Sequence, residues 1–226
     1  MQHDPAKRAR RDGADVEAAR AGIVALAGLL AALAGCGAPA APSLPTAVRP
    51  APSSAPAAAD WSQLVDLDGR PAVASGAKAV AVVFVLPDCP ICNAYVPELN
   101  RLHAEFTRRG AALVLVHADP ATTTDAARQH AQEYQIAAPV AVDGQHVWVK
   151  RAQATTTPEA ALFSPAGDLL YRGRIDDQYT GLGQRRTVVT SHDLRDALEA
   201  VLAGRPVSQS RTKAVGCPIP ESPKGG

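Results

Sequence analysis

The sequence predicts an α/β domain organised around a buried strand that runs directly into an amphipathic helix. Residues 79–85 form an apolar, valine-rich run, too short for a helix and typical of a strand buried on both faces. Val96, Leu99 and Leu102 then recur at helical spacing. A second apolar run at 111–116 follows the helix, and this β-α-β order predicts two parallel strands joined by a right-handed crossover.

The other elements are predicted from turn residues, caps and apolar spacing. They are two short strands around an Asp-Gly turn (61–67 and 71–73), the first helix (90–109), a helix capped within 122–124 and running to 134, a short strand (138–142), a helical turn (145–151), a hairpin (159–164 and 169–174) and a final helix (193–202) capped by Thr190 or Ser191. Together they predict a folded domain over residues 60–204, followed by a polar tail over 205–226.

Two cysteines, Cys89 and Cys92, lie in the first turn of the predicted first helix. The thiolate is the reactive form of cysteine, and the positive end of the helix dipole favours it at this position. We therefore predict Cys89 as the nucleophile and Cys92, one turn further in and more buried, as the resolving thiol. A bare Cys-x-x-Cys is also consistent with half a zinc site, a structural disulfide or chance. No second Cys-x-x-Cys completes a zinc site, and Asn93 excludes the haem motif Cys-x-x-Cys-His.

Residues 61–203 resemble the thioredoxin superfamily, in particular the bacterial TlpA-like and redoxin-type thiol-disulfide oxidoreductases. The matching features are the first strand, Cys89-Pro-Ile-Cys92, the helix at 97–99, and Thr157-Pro158. The resemblance implies a thioredoxin-like fold with a central mixed β-sheet flanked by helices, and dithiol chemistry without a cofactor. It also implies a cis peptide bond before Pro158 that leaves the Thr157 backbone free to bind an extended substrate. From the residues alone, Pro158 is also consistent with an edge-strand or turn proline.

The sequence departs from this family pattern at the position of a helix acid. TlpA-like proteins commonly carry an acid three residues after the second cysteine, where this chain has Tyr95. Glu98, one turn later, is the candidate for proton transfer to and from Cys92. An exposed helical glutamate with no such role is the commoner case.

Two other functions of the cysteine pair remain as alternatives. One is a Sco-like copper(I)-binding maturation protein, since copper(I) suits thiolates and His103 or His117 could supply a distant histidine. Sco-type proteins, however, have three residues between their cysteines. The other is a thiol peroxidase, but the peroxiredoxin pattern Pro-x-x-x-Thr/Ser-x-x-Cys precedes neither Cys89 nor Cys92. No metal site is predicted.

The C-terminal tail contains a third cysteine, Cys217, in the sequence Val-Gly-Cys-Pro-Ile-Pro. A leftover thiol in an exported protein is expected to be paired, buried or functional. Some redoxin-like bacterial proteins end similarly in Gly-Cys-x-Ile. We hypothesise that the tail folds back and that Cys217 acts as an additional redox thiol, forming a disulfide with Cys89 or Cys92.

The N-terminus predicts export. Residues 1–35 have a basic start followed by fourteen small or apolar residues at 21–34, which is the layout of a secretory signal. The segment ends Leu-Ala-Gly-Cys36 and resembles a bacterial lipobox, in which the cysteine is lipidated. An ordinary signal peptide, with Cys36 incidental, is the alternative. Residues 36–59 are rich in proline and alanine and are interpreted as a tether.

Composition and family resemblance together limit the partners. The chain of 226 residues carries 23 basic and 22 acidic side chains, so no electrostatic case exists for nucleic acid. The expected partners are protein disulfides or dithiols, a membrane electron donor of the DsbD or CcdA type, and a lipid membrane bound through Cys36. The expected location is the bacterial cell envelope, on the periplasmic or extracytoplasmic face. The sequence does not predict whether the protein reduces or oxidises its substrates.

Overall fold

The computed structural model describes residues 58–221. The predicted signal peptide, the lipidation site Cys36 and nearly all of the tether lie outside the described residues. The helices are α1 (Pro90–Thr107), α2 (Thr124–Glu133), α3 (Val147–Ala152) and α4 (Asp193–Leu202), with a short 3₁₀ helix at Trp61–Gln63. The strands are β1 (Ala79–Val85), β2 (Ala111–His117), β3 (Val140–Val142), β4 (Thr156–Thr157), β5 (Glu159–Phe163), β6 (Leu169–Gly173), β7 (Tyr179–Gly181), β8 (Gln184–Arg185) and β9 (Cys217–Pro218).

Five strands form a mixed central sheet in the order β3-β2-β1-β5-β6. Strand β1 pairs in parallel with β2 and antiparallel with β5, and β5 pairs antiparallel with β6. The predicted β-α-β unit and the predicted hairpin are therefore both present. The predicted fold class, an α/β domain with a central mixed sheet flanked by helices, is confirmed.

Strand β1 is buried along its whole length because both faces of the sheet are covered. Ala81, Val83 and Val85 pack into a core that includes α1 and α4, whereas Val80 and Val82 pack on the opposite face with α3. A central strand in this position needs apolar residues on both sides, which explains its continuous valine-rich run. The C-terminal end of this fixed strand thus determines where α1 begins.

The predicted strands at 61–67 and 71–73 are not formed as such. Asp60 caps a 3₁₀ helix at Trp61–Gln63 by accepting a hydrogen bond from the Ser62 backbone, and Val65 and Pro71 make only an isolated bridge. The Asp66 carboxylate accepts bonds from the backbone of Asp68 and Arg70, so a side chain closes this turn. Side-chain acceptance of backbone N–H groups competes with strand pairing.

The predicted cap of the last helix is also wrong. His192 occupies the cap position of α4 and makes no side-chain capping bond. Thr190 and Ser191 instead donate their backbone N–H groups to the Asp177 carboxylate. The carboxylate of Asp177, a buried aspartate from another segment, therefore accepts the backbone hydrogen bonds in place of the local cap that the sequence predicts.

Within residues 58–221, no helix is both long enough and apolar enough to span a bilayer.

Candidate active site

Cys89 is the N-cap residue of α1, directly after the turn that follows β1. Its backbone N–H bonds to the Leu86 carbonyl at 3.2 Å, and its own carbonyl accepts from Asn93 at 3.1 Å. Pro90 at the first helical position has no N–H group to leave unpaired there. These bonds hold the Cys89 sulfur at the helix start, with Cys92 one turn further in, as the sequence predicts.

The two thiols have opposite pKa shifts. The pKa of Cys89 is lowered from 9.0 to about 5. The largest cause is hydrogen bonding from the Cys92 thiol; burial opposes it, and hydrogen bonding from Cys217 adds to it. Burial raises the pKa of Cys92 well above its usual value, and its interaction with Cys89 raises it again. At neutral pH the pair therefore consists of one thiolate and one thiol, which is what attack followed by resolution needs.

The source of the Cys89 shift differs in part from the sequence argument. The positive end of the helix was the expected cause, and the backbone N–H of Cys92 does contribute, but less than the thiol of the same residue. Cys89 and Cys92 are each 1% exposed, but Cys92 lies deeper, as predicted, since burial is the largest cause of its pKa shift and not of the Cys89 shift. Cys89 is covered because the sulfur of Cys217 lies against it.

The Cys217 sulfur is 2.9 Å from the Cys89 sulfur, and both cysteines are free thiols. Burial, and then hydrogen bonding to Cys89, raises the pKa of Cys217 from 9.0 to about 11. Cys217 is therefore a neutral thiol that donates to the Cys89 thiolate. The predicted return of the tail to the dithiol is present in the structure. The redox role of Cys217 stays a prediction.

The predicted substrate-binding residues, Thr157 and Pro158, lie beside the dithiol. Their peptide bond is cis, as the resemblance implies. The Thr157 carbonyl oxygen is 3.4 Å from the Cys89 sulfur, where it accepts a hydrogen bond from Cys89 when that thiol is protonated. The Thr157 backbone is not free, however, because Thr157 pairs antiparallel with Cys217 and Thr156 pairs with Pro218.

Glu98 has a different partner from the one that the sequence argument gave it. Its carboxylate forms an ion pair with Arg101 on the surface of α1. Within the part of the chain that the structure describes, it makes no hydrogen bond to Cys92. Its role in proton transfer stays a prediction.

Sequence reasoning missed a buried polar pair next to the site. The Tyr95 hydroxyl donates a hydrogen bond to the Asp176 carboxylate, and both residues are buried. Tyr95 also packs against the ring of Tyr179 at 5.4 Å. Tyr95 occupies the helix position where an acid was expected, so the chain supplies a carboxylate there from a distant segment. Two consecutive aspartates after an apolar isoleucine were the available signal.

The two histidines considered for copper lie apart from any ligand cluster. His103 is half-buried and contacts Thr107, whereas His117 is fully buried and packs edge-on against His130 at 5.0 Å. Across residues 58–221, no three His, Cys, Asp or Glu side chains are grouped to hold a metal ion. The site thus consists of thiols, a cis-proline segment and a docked tail.

Comparison with known proteins identifies related sequences and structures. The sequence profile of the AhpC/TSA family matches residues 56–193. No curated protein matches this chain at a significant level. The chain is similar to a solved uncharacterized conserved protein from Geobacillus kaustophilus, with a TM-score of 0.58 and 26% identity over 66% of this chain and 80% of that chain.

Two further solved structures match. A hypothetical protein from Sinorhizobium meliloti 1021 has a TM-score of 0.56 and 27% identity, covering 64% of this chain and 80% of that chain. A secreted disulfide oxidoreductase from Mycobacterium tuberculosis is a more distant match, with a TM-score of 0.42 and 19% identity over 65% of this chain and 99% of that chain.

Proposed function

The chain belongs to the AhpC/TSA family, a redoxin family of thioredoxin-like thiol-disulfide oxidoreductases, and from this premise we propose that it exchanges disulfides with protein substrates through Cys89 and Cys92. The observation that carries the proposal is the opposite pKa shift of two thiols one helical turn apart. A low-pKa thiol at a helix start is typical of a reactive cysteine, whereas structural buried cysteines are inert.

In the reducing direction, the Cys89 thiolate attacks one sulfur of a substrate disulfide and expels the other as a thiolate, forming a mixed disulfide. Cys92 then loses its proton and attacks the Cys89 sulfur, which releases the second substrate thiolate. Two electrons pass to the substrate, and one Cys89–Cys92 disulfide replaces one substrate disulfide. The oxidising direction is the reverse sequence.

The pKa of Cys92 falls once Cys89 has formed the mixed disulfide that Cys92 must resolve. In the free dithiol, hydrogen bonding to Cys89 and repulsion by its negative charge both raise the pKa of Cys92. When Cys89 enters a mixed disulfide, its charge is gone and both effects end. Cys92 therefore ionises more readily in the intermediate that it must resolve. Hydrogen bonding from the Thr157 side chain also lowers the pKa of Cys92.

We also propose that the protein works in the bacterial cell envelope, anchored by lipid on Cys36 and extended from the membrane by residues 36–59. The support is the signal-like and lipobox-like sequence of residues 1–36. A membrane donor of the DsbD or CcdA type would keep the dithiol reduced if the protein is a reductase. Fractionation of a bacterial host is the test: Cys36→Ser should move the protein from the membrane to the soluble envelope fraction, and an unchanged distribution contradicts the anchor.

The activity is tested by insulin reduction with dithiothreitol as the electron source. Cys89→Ser should abolish the protein-dependent rate, and Cys92→Ser combined with Cys217→Ala, which leaves no second thiol to resolve the intermediate, should accumulate a mixed disulfide with insulin. Ala94→Ser, an exposed change on the same helix, is the matched control and should retain the wild-type rate. Full activity in Cys89→Ser contradicts the proposal.

The two alternatives have distinct outcomes in the same set of proteins. Tight copper(I) retention by the wild type, lost in Cys89→Ser and without insulin reduction, would favour a Sco-like role. Turnover of hydrogen peroxide, again without insulin reduction, would favour a thiol peroxidase. The proposed function predicts insulin reduction as the main activity.

A further inference from the structure

The C-terminal tail is bound to the domain at two separate places. At the edge of β6, Arg172 donates its backbone N–H to Ser210 at 3.0 Å and accepts from Thr212 at 3.1 Å. The Thr212 hydroxyl also bonds to the Tyr171 hydroxyl at 2.7 Å. The tail therefore extends the central sheet locally before it reaches the dithiol.

The second place is the segment before cis-Pro158. Cys217 pairs with Thr157 there, its carbonyl accepts from the Thr157 hydroxyl at 3.3 Å, and Ile219 donates its backbone N–H to Thr155 at 3.1 Å. Val215 and Cys217 pack against one core cluster, whereas Ile219 packs against the cluster on the other face of the sheet. Added-strand pairing of this kind, with side chains that pack against the domain, is how extended peptides bind to an exposed edge.

The space at position 216, directly before Cys217, accommodates only glycine. A β-carbon on Gly216 would lie 1.8 Å from the Thr157 carbonyl oxygen and 3.1 Å from the Pro158 ring. The first distance involves backbone atoms, so any larger residue would have to move the tail away from Thr157. The Gly216-Cys217 pair thus fits the segment before cis-Pro158 in a way that Ala-Cys would not.

We propose that residues 215–219 are an internal substrate of the dithiol: Cys217 forms a reversible disulfide with Cys89, and external substrates bind in the same register as extended segments with glycine directly before the cysteine. This inference rests on the proposed function, since it assigns the substrate class of the same site. An external segment reaches Cys89 only after it displaces the tail.

The chemistry of the internal step is balanced within the chain. In the protein with a Cys89–Cys92 disulfide, the Cys217 thiolate attacks the Cys89 sulfur, the Cys89–Cys92 bond breaks, and Cys92 leaves as a thiolate that takes up the proton Cys217 lost. One disulfide is broken and one is formed, so no outside oxidant or reductant is needed. The reverse attack by Cys92 frees the tail.

The docked position of the tail favours disulfide exchange between Cys217 and Cys89 over exchange of Cys89 with partners in dilute solution. Because the tail is held to β6 by residues 210–212, Cys217 stays near Cys89 as an intramolecular reactant, which gives it a high effective concentration. The 1% exposure of Cys89 reflects the same contact. A substrate competes by offering the same backbone pairing and a sulfur at the same place.

The first test uses the Cys92→Ser protein treated with oxidised glutathione, followed by non-reducing peptide mapping. Cys89 first takes up glutathione, and Cys217 should then displace it, so the expected product is an intramolecular Cys89–Cys217 disulfide. Cys92→Ala serves as a second background in case serine disturbs this buried position. In either background, glutathione that remains on Cys89 with a free Cys217 overturns the proposal.

Two tail variants show whether docking causes the disulfide. Adding Gly216→Ala to the Cys92→Ser background should leave glutathione on Cys89, because the new β-carbon excludes the tail from Thr157. Adding Lys213→Ala, an exposed change in the same tail, should leave the Cys89–Cys217 product unchanged. Equal yields of the Cys89–Cys217 disulfide in the Gly216→Ala and Lys213→Ala proteins contradict the docking argument.

The substrate class is tested with two synthetic peptide disulfides that copy the tail, Ala-Val-Gly-Cys-Pro-Ile-Pro and the same peptide with alanine before the cysteine. The wild type should reduce the glycine peptide with a kcat/KM at least about tenfold higher, the factor produced by a difference of about 1.4 kcal/mol. Equal rates would reject the proposed register. Insulin reduction by the same protein distinguishes the proposed function from this inference. If the protein does not reduce insulin, the proposed function is wrong. If it reduces insulin but the tail tests fail, only this inference is wrong.

Discussion

Tyr95 and Asp176 are joined by a buried hydrogen bond between residues 81 positions apart in the chain. The bond connects α1, which carries the dithiol, to the segment that follows β6. Burial, and then the bond to Asp176, raises the pKa of Tyr95, so its hydroxyl remains a donor across the working range. Gln178 also donates its backbone N–H to the same carboxylate at 2.8 Å. The active-site helix is therefore fixed to the domain by a polar contact as well as by apolar packing.

Replacing Tyr95 with phenylalanine should lower the free energy of unfolding by about 1–3 kcal/mol, because the Asp176 carboxylate would lose one of its donors while it remains buried. Urea unfolding of the reduced protein measures the change. Tyr134→Phe, at an exposed tyrosine on the end of α2, is the matched control and should change stability by less than about 0.5 kcal/mol. Equal effects of the two substitutions would show that the buried bond adds nothing.

The reduction potential of the Cys89/Cys92 pair should be less negative than about −270 mV, the value for thioredoxin. Folding lowers the pKa of Cys89 to about 5, so the fold stabilises the reduced form through its thiolate at pH 7. Cys92 is a neutral thiol at pH 7 in both the folded and the unfolded chain, so it does not offset this stabilisation of the reduced form. Equilibration with glutathione buffers measures the potential, and a value more negative than that of thioredoxin contradicts the pKa assignment.

The same pKa sets the pH dependence of that potential. Between pH 5 and 9 the reduced pair holds one proton more than the disulfide, so the potential should fall by about 30 mV per pH unit. Below pH 5 both thiols are protonated, and the slope should steepen to about 59 mV per unit. Cys217→Ala removes one donor to Cys89 and should move the break to higher pH. A slope of about 59 mV up to pH 8 would place the Cys89 pKa near its ordinary value.

His117 should make the protein less stable as the pH falls from 6.5 to 4. Burial, and to a lesser extent nearby His130, lower the pKa of His117 to about 4. The unfolded chain therefore binds a proton that the folded chain does not over this interval, which favours unfolding by up to about 3 kcal/mol. His117→Leu should flatten the loss between pH 6.5 and 4 in urea unfolding.

The control for this prediction is His192→Leu, at an exposed position before α4. It should leave the pH dependence of stability as in the wild type. In the described part of the chain neither ring nitrogen of His117 has a hydrogen-bond partner, so leucine loses no bond there. A stability curve that is unchanged in His117→Leu would assign the acid sensitivity to other groups.

Glu98→Gln tests the proton-transfer prediction. If Glu98 carries the proton of Cys92, the substitution should lower the kcat of insulin reduction about a hundredfold, the lower range for a general acid-base group, with little change in KM. Arg101→Ala frees the Glu98 carboxylate from its ion pair without removing it, and should retain activity. A Glu98→Gln protein with the wild-type kcat and pH profile would reduce Glu98 to a surface ion-pair partner.

Much of the fold was predictable because its signals are local. The continuous apolar run of β1, the helical spacing of Val96, Leu99 and Leu102, and the hairpin of β5 and β6 all appear within short stretches of sequence. The errors, at residues 61–67 and at the cap of α4, came from aspartate side chains. Asp66 and Asp177 each bind backbone N–H groups that the local pattern had assigned elsewhere.

The sequence by itself determined that a Cys-x-x-Cys pair begins a helix after a buried strand, since neighbouring residues set both the strand and the helix. Only the tertiary structure decided which sulfur Cys217 meets, because Cys89 lies 128 residues away and no local pattern encodes that contact. It likewise decided that the Thr157 edge is occupied by the tail. Pairing between distant strands depends on where the whole domain places their backbones, whereas a helix start depends on a few adjacent residues.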